Sequence, residues 1–109
     1  MNKLILDNIE PIKSVCKKHF VKSIYVYGSA ANNTMDESSD IDFLYEIDID
    51  NFKGWDSGEY DYVKNLADIK EELQKILGTN IGLVKNKYFR NKYFNASIQQ
   101  SKALIYGNN

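Results

Sequence analysis

The sequence predicts an α/β fold, one sheet with helices packed against it. Three observations predict it. Segments with apolar residues at helical spacing are interleaved with short runs that alternate face by face. Their order is helix, strand, helix, strand, helix, strand, helix, the order of a single sheet covered by its connections. The chain has 109 residues. A chain of that size holds one core and buries about two thirds of its unfolded surface, so residues 1–109 read as a single domain.

Leu4, Ile5, Ile9, Ile12, Val15 and Cys16 fall at helical spacing. Pro11 is tolerated only in a first turn, so the regular helix starts near Asn8 and Leu4-Ile5 is an extended or separately packed lead. Lys17, Lys18 and His19 end this helix, which suits the negative end of its dipole. Ser23–Tyr27 reads as the first strand, with Ile24 and Val26 on one face and Tyr25 and Tyr27 on the other. Asp40–Ile47 reads as the second, with Ile41, Phe43, Tyr45 and Ile47 on one face and Asp40, Asp42, Leu44 and Glu46 on the other.

Asp48–Glu59 carries charge, glycine and Trp55 and reads as a loop, with Trp55 either a partner anchor or a cover for the core edge. Over Asp61–Leu77 one helical stripe is formed by Tyr62, Val63, Leu66, Ile69, Leu73, Ile76 and Leu77, with Gly78 as its C-terminal cap. Asn80–Val84 is a short third strand. Asn95–Tyr106 is expected to be the last helix, with Phe94, Ile98 and Ile105 as its apolar side and Gly107 at its end.

Composition narrows the function. The net charge is −1, so no overall basic field draws in nucleic acid. Cys16 is the only cysteine, which rules out an internal disulfide and fits a reducing, cytoplasmic setting. No apolar run reaches membrane-spanning length, and the N-terminus lacks a signal-peptide core. Eight tyrosines and five phenylalanines exceed what a small core takes up, so some are expected on a partner surface, in a homo- or hetero-oligomer.

The chemistry concentrates where the first strand ends and the second begins. Asp40 and Asp42, at i and i+2 on a strand, point the same way about 7 Å apart at Cα. Carboxylates so placed can straddle divalent ions about 4 Å apart, the clamp for an in-line phosphoryl displacement. Gly28-Ser29 ends the preceding strand. If Ser29 caps a short helix, free backbone N–H groups there face an anion.

Gly28-Ser29, the spacing to Asp40-Ile41-Asp42 and the apolar run after it resemble the Gly-Ser…Asp-x-Asp signature of the polymerase-beta-like nucleotidyltransferases. The short length resembles their smallest branch, the minimal nucleotidyltransferases, with the likeness running from Ile12 to Gly107. The resemblance implies a small mixed sheet whose carboxylate-bearing edge faces a nucleotide. It implies Mg²⁺ held by Asp40 and Asp42, which would be the catalytic residues, and a nucleoside triphosphate, ATP first, contacted by Gly28, Ser29 and Ser39. The reaction implied is nucleotidyl transfer to a hydroxyl with release of pyrophosphate. The partner implied is a small helical HEPN-domain toxin, a tyrosine of which would be the acceptor and whose antitoxin this chain would be. The link, Gly28–Ser39, departs from the pattern: Ala30-Ala31-Asn32-Asn33 lacks the family's arginine, and Asn33 stands where a glycine is usual. Asparagine tolerates positive φ, so the turn survives, but one triphosphate contact is lost.

A second departure weighs more. The family's third strand carries a third carboxylate, which helps bind the metal nearer the attacking hydroxyl and accepts its proton. That position falls on Gly82, within Asn80-Ile81-Gly82-Leu83-Val84. No acidic residue follows Glu72, so no small change of register restores it. General-base help is worth on the order of 10²–10⁴ in rate, so nucleotide binding is expected to survive better than transfer. Glu46 shares the strand face of the aspartates but lies beyond Leu44, too far to substitute. The alternative is a catalytically impaired antitoxin subunit that acts by contact.

Other motifs are weaker. Asp36, Ser38 and Asp40 match the first positions of a calcium loop, but Ile41 and Ile47 stand where glycine and glutamate are required. Cys16 and His19 have ligand-like spacing without a second pair, and read as a buried thiol and a helix-end histidine rather than a zinc site. The basic, aromatic stretch Lys85–Phe94 could stack on RNA bases. The plainer expectation is a linker whose aromatics pack on the sheet, with Lys85 or Lys87 near the nucleotide phosphates.

Overall fold

The computed structural model describes residues 2–27, 40–48, 62–86 and 90–107. Among them the order is α1 (Lys3–Leu6), α2 (Ile9–Lys18), β1 (Val21–Tyr27), β2 (Ile41–Ile47), α3 (Tyr62–Leu77), β3 (Ile81–Lys85), α4 (Lys92–Ser101) and β4 (Ala103–Gly107). Among the described residues the sheet is four-stranded and mixed, in the order β3-β2-β1-β4. β1 runs antiparallel to β2 and β4, and β2 runs parallel to β3. A parallel pair needs a long crossover, and α3 lies within it.

The sheet separates two apolar layers. Ile24, Val26, Ile41, Phe43, Tyr45, Ile81 and Ile105 meet Ile12, Val15 and Cys16 of α2 and Ile69, Leu73 and Leu77 of α3. On the opposite face Tyr25 and Leu44, flanked by Tyr27 and Val84, meet Ile98 of α4. The face assignments read from β1 and β2 therefore hold. Burial pushes the Cys16 thiol up to about 12, as befits a core residue.

Several boundaries and one element differ from expectation. The lead before Pro11 is a short helix, α1, with Ile5 buried and Asn2 Oδ1 accepting from the Leu4 N–H at 2.8 Å. Pro11 sits in the first turn of α2, where its missing N–H costs nothing. β1 begins at Val21, two residues early, and β2 at Ile41, so Asp40 lies just ahead of its strand. Val63 does not join the α3 stripe: it is 71% exposed, while the polar Asn65 is 1% exposed.

The expected last helix is two elements. α4 stops at Ser101, because Lys102 is extended (φ −69°, ψ 140°), and the chain continues as β4. Ile98 and Ile105 are seven apart, which fits a helix, but each closes a different apolar layer. Pairing with β1 decides the outcome by satisfying an edge that would otherwise be open. Nor do the aromatics of the Lys85–Phe94 stretch all pack on the sheet: Tyr93 is 90% exposed and Phe94 about half. Tyr93 points outward beside Ala96, Ser97 and Gln100 on the open side of α4.

Asn65 is buried because it binds the end of α2. Its Nδ2 donates to the His19 carbonyl at 2.9 Å, which turns its Oδ1 toward His19 Nδ1, also at 2.9 Å. The other ring nitrogen, Nε2, lies against the Glu72 carboxylate, which also accepts from Lys18 Nζ at 2.9 Å. These contacts fasten α2 to α3 just before Phe20, whose φ of 61° turns the chain into β1. A non-glycine residue there costs roughly 1–2 kcal/mol.

Two outcomes follow. The Lys18 hydrogen bond, then that from His19, against an opposing effect of burial, holds the Glu72 carboxyl below its ordinary 4.5. A depressed carboxyl stabilises the fold above its unfolded value, and that contribution is lost as pH falls through the folded value. Glu72→Gln should therefore cost about 1 kcal/mol in urea unfolding at pH 7, and the gap should narrow as pH falls below the ordinary glutamate range. Gly107 has φ +96°, and a Cβ there would meet the Lys22 carbonyl oxygen at 2.1 Å. Gly107→Ala should cost about 1–3 kcal/mol by the same assay.

Candidate functional site

β2 is an interior strand, and the start of it is where the site residues converge. Asp42 is flanked on both sides: it pairs with Tyr27 at the end of β1 and with Gly82 near the start of β3. The Asn80 carbonyl accepts the Ile41 N–H at 3.3 Å and brings β3 alongside at this end. Because β1 and β2 are antiparallel, the end of β1 and the beginning of β2 share one rim of the sheet. Residue 28 follows directly on Tyr27, so the chain enters its link at the rim that carries Asp40 and Asp42.

Asp40 is exposed and Asp42 half-buried. Burial, then the charge of Asp40, raises the Asp42 carboxyl above its ordinary 3.8. The Tyr27 phenol is raised by burial and then by the charge of Asp42. Asp42 thus carries a charge in a setting that disfavours it, and a cation would relieve that. The donor set fits magnesium, a hard cation that binds through one or two carboxylates and completes its shell with substrate phosphates and water. Among the described residues no group of three or more histidines, cysteines and carboxylates could hold a metal alone.

Gly82 lies against Asp42 itself. A Cβ built on it would stand 2.6 Å from Asp42 Oδ1. Glu46 is engaged elsewhere: it accepts from Ser23 Oγ and Asn86 Nδ2, each at 3.4 Å, at the other end of β2. Gly28, Ser29 and Ser39 lie outside the described residues, as do Asn33, Trp55 and Lys87. The structure brings together Asp40, Asp42 and Gly82 and adds Tyr27. The alternation of β1 put Tyr27 on a face, but only the cross-strand register reveals its neighbour. A cleft of about 470 Å³ lined by Gln74, Gly78, Thr79 and Asn80 opens nearby without being lined by either aspartate.

Comparison with known proteins now bears on this arrangement. The family model described as the nucleotidyltransferase domain matches residues 9–105. The chain belongs to that family. A relative from Methanocaldococcus jannaschii, named a "putative protein adenylyltransferase", is 33% identical over 93% of this chain and 99% of its own length. The nucleotidyltransferase domain is also similar to a solved structure described as a "putative minimal nucleotidyltransferase", with a TM-score of 0.69 at 20% identity over 94% of this chain and 95% of that one. A third likeness is the complex of a tri-AMPylated Shewanella oneidensis HEPN toxin with its MNT antitoxin, with a TM-score of 0.57 at 14% identity over 94% of this chain and 72% of that one. The family resemblance carried by the Gly-Ser…Asp-x-Asp pattern is borne out, as is the mixed-sheet nucleotidyltransferase fold. No helix among the described residues is long and apolar enough to cross a membrane.

The raised Asp42 carboxyl has a measurable consequence. The folded chain holds that proton more tightly than the unfolded one, so stability falls as pH rises from the ordinary 3.8 through the folded value. In metal-free buffer at pH 7, Asp42→Asn should melt higher than the native chain. The difference should vanish below the ordinary aspartate range.

Proposed function

We propose that this nucleotidyltransferase binds Mg–ATP at Asp40 and Asp42 and transfers AMP to a hydroxyl of a protein partner. The observation that carries the reading is the pair of carboxylates at the rim of β2, the inner one half-buried and sensing the charge of the outer. Support comes from the relative named for protein adenylylation, and from the fold shared with an antitoxin in complex with an AMPylated HEPN toxin. A HEPN-type partner, a tyrosine acceptor and a cytoplasmic setting belong to the same proposal.

In this reading Asp40 and Asp42 are the metal ligands, and Gly28, Ser29 and Ser39 receive the triphosphate. Magnesium, when bound, supplies Lewis-acid stabilisation of charge on the phosphates. The chain's own residues fix the geometry. Asp42 is set by its neighbours on two strands, and Asp40 remains open to solvent and to the ion. The acceptor hydroxyl attacks the α-phosphorus, the bond to the pyrophosphate oxygen breaks in line, and pyrophosphate leaves. The hydroxyl proton passes to water or to a group of the partner.

One observation favours a second reading. Gly82 stands beside Asp42 where the family's third carboxylate would be expected, so the chain lacks a base at that point. A domain that binds nucleotide, or masks its partner by contact, without transfer would keep the aspartates and tolerate the glycine.

Label transfer from α-labelled ATP with Mg²⁺, in the presence of any helical protein encoded alongside, tests the first reading. The native chain should label the partner, and Asp42→Ala should lose at least about a hundredfold in rate. A silent native chain that still binds Mg–ATP would establish the second reading instead.

A further inference from the structure

We propose that His19 carries a proton on both ring nitrogens in the folded chain at neutral pH, and that the second proton latches the end of α2 to α3. The inference uses none of the residues of the nucleotide reading and stands apart from it.

The hydrogen-bond partners fix the protonation. The His19 carbonyl only accepts, so the Asn65 atom facing it at 2.9 Å is the amide nitrogen. The Asn65 oxygen is thereby the atom 2.9 Å from His19 Nδ1. That oxygen also only accepts, so Nδ1 must donate. Nε2 lies against the Glu72 carboxylate, again an acceptor when ionised. A neutral imidazole has one donor and one lone pair, and would turn the lone pair on one of these two partners. An imidazolium donates to both. The proton could sit on Glu72 instead, but Lys18 opposes this. Its ammonium donates to the same carboxylate at 2.9 Å and is the largest influence holding that carboxyl below its ordinary 4.5.

Burial closes the other way out. His19 is 4% exposed and Asn65 1%, so the ring has no open water to turn to. Among the described residues no buried side-chain nitrogen or oxygen lacks a partner. The charged groups lining the cleft beside the ring are Lys18 of α2 and Asp68, Glu71, Glu72 and Lys75 of α3. Asp68 is engaged by Lys64 and Glu71 by Lys75, each at 3.2 Å. Glu72 is shared between Lys18 and the ring.

A histidine in an unfolded chain titrates near about 6.5 and is mostly neutral at pH 7. Folding therefore takes up a proton near neutrality. A state that binds more protons is favoured by acid, so the latch is whole below the ordinary histidine range and weakens as pH rises and the proton leaves. Once it leaves, the Nε2 lone pair faces a carboxylate and the attraction becomes a repulsion. The joint that loosens is the one between α2 and the helix of the β2–β3 crossover.

His19 is the only histidine of the chain, so its ring signals identify themselves. The test records long-range ¹⁵N NMR spectra of the native chain and of Glu72→Gln at pH 7. Hydrogen exchange of the α2 and α3 amides, corrected for intrinsic rates, follows at about pH 6 and about pH 8.5. In the native chain both ring nitrogens should read as protonated. In Glu72→Gln the side-chain amide can donate to Nε2, and the ring should read as neutral with its proton on Nδ1. Native protection of α3 should fall at least about tenfold between the two pH values, and that of Glu72→Gln should change far less.

A native ring with one bare nitrogen at pH 7 overturns the assignment, and the latch with it. A doubly protonated ring with equal protection at both pH values overturns the latch. Both readings come from the native chain, so they decide the matter even if Glu72→Gln folds poorly.

Discussion

From the contact between the Asn80 carbonyl and the Ile41 N–H, β2 and β3 run side by side in register as far as Tyr45 and Lys85. This parallel pairing is what the site depends on. It cannot be closed by a tight turn, so α3 must lie in the crossover, and α3 in turn covers one face of the sheet. The pairing also places β2 inside the sheet, with β1 on its other side. A carboxylate at the third position of the 40–42 motif is thereby held between two backbones. Asp40, one residue ahead of the strand, escapes that confinement and stays exposed.

Two constraints keep the register from slipping. A shift of one residue would exchange Phe43 and Tyr45 for Asp42 and Leu44 against α2 and α3, and bury a carboxylate among aliphatic side chains. The crossover is also anchored at its origin. Asn65 and Glu72 bind the end of α2 through His19 and Lys18, so α3 cannot slide along the sheet without breaking these polar contacts. A buried polar contact is costly to leave half-made, and that asymmetry makes it a better lock than its net energy would imply.

The patterns that could be read from sequence were those set by local periodicity. The alternation in β2, the helical stripe from Leu66 to Leu77 and the proline in the first turn of α2 are all present. What could not be read is set by partners distant in the chain. Asn65 breaks the apolar stripe of α3, and its burial makes sense only with His19, 46 residues earlier. Ala103–Gly107 has no strong preference, and becomes a strand because the edge of β1 is open. The candidate site divides in the same way. Asp40 and Asp42 announced themselves by spacing, and Gly82 by a family resemblance. That Gly82 and Asp42 touch, with Tyr27 on the other flank, depends on a sheet order that no single segment encodes.

The electrostatics of the rim give the glycine a physical meaning. Asp42 is already disfavoured as an anion by burial and by Asp40. A third carboxylate at residue 82 would stand against both, and its repulsion would be offset only by additional cation charge. With glycine there, residue 82 adds no charge to the aspartate pair. Local stability alone would favour alanine on the strand and a neutral residue at 42, and this chain has neither. A conflict of that kind between local preference and observed sequence is expected where a fold serves a ligand, and here it falls on two residues that touch.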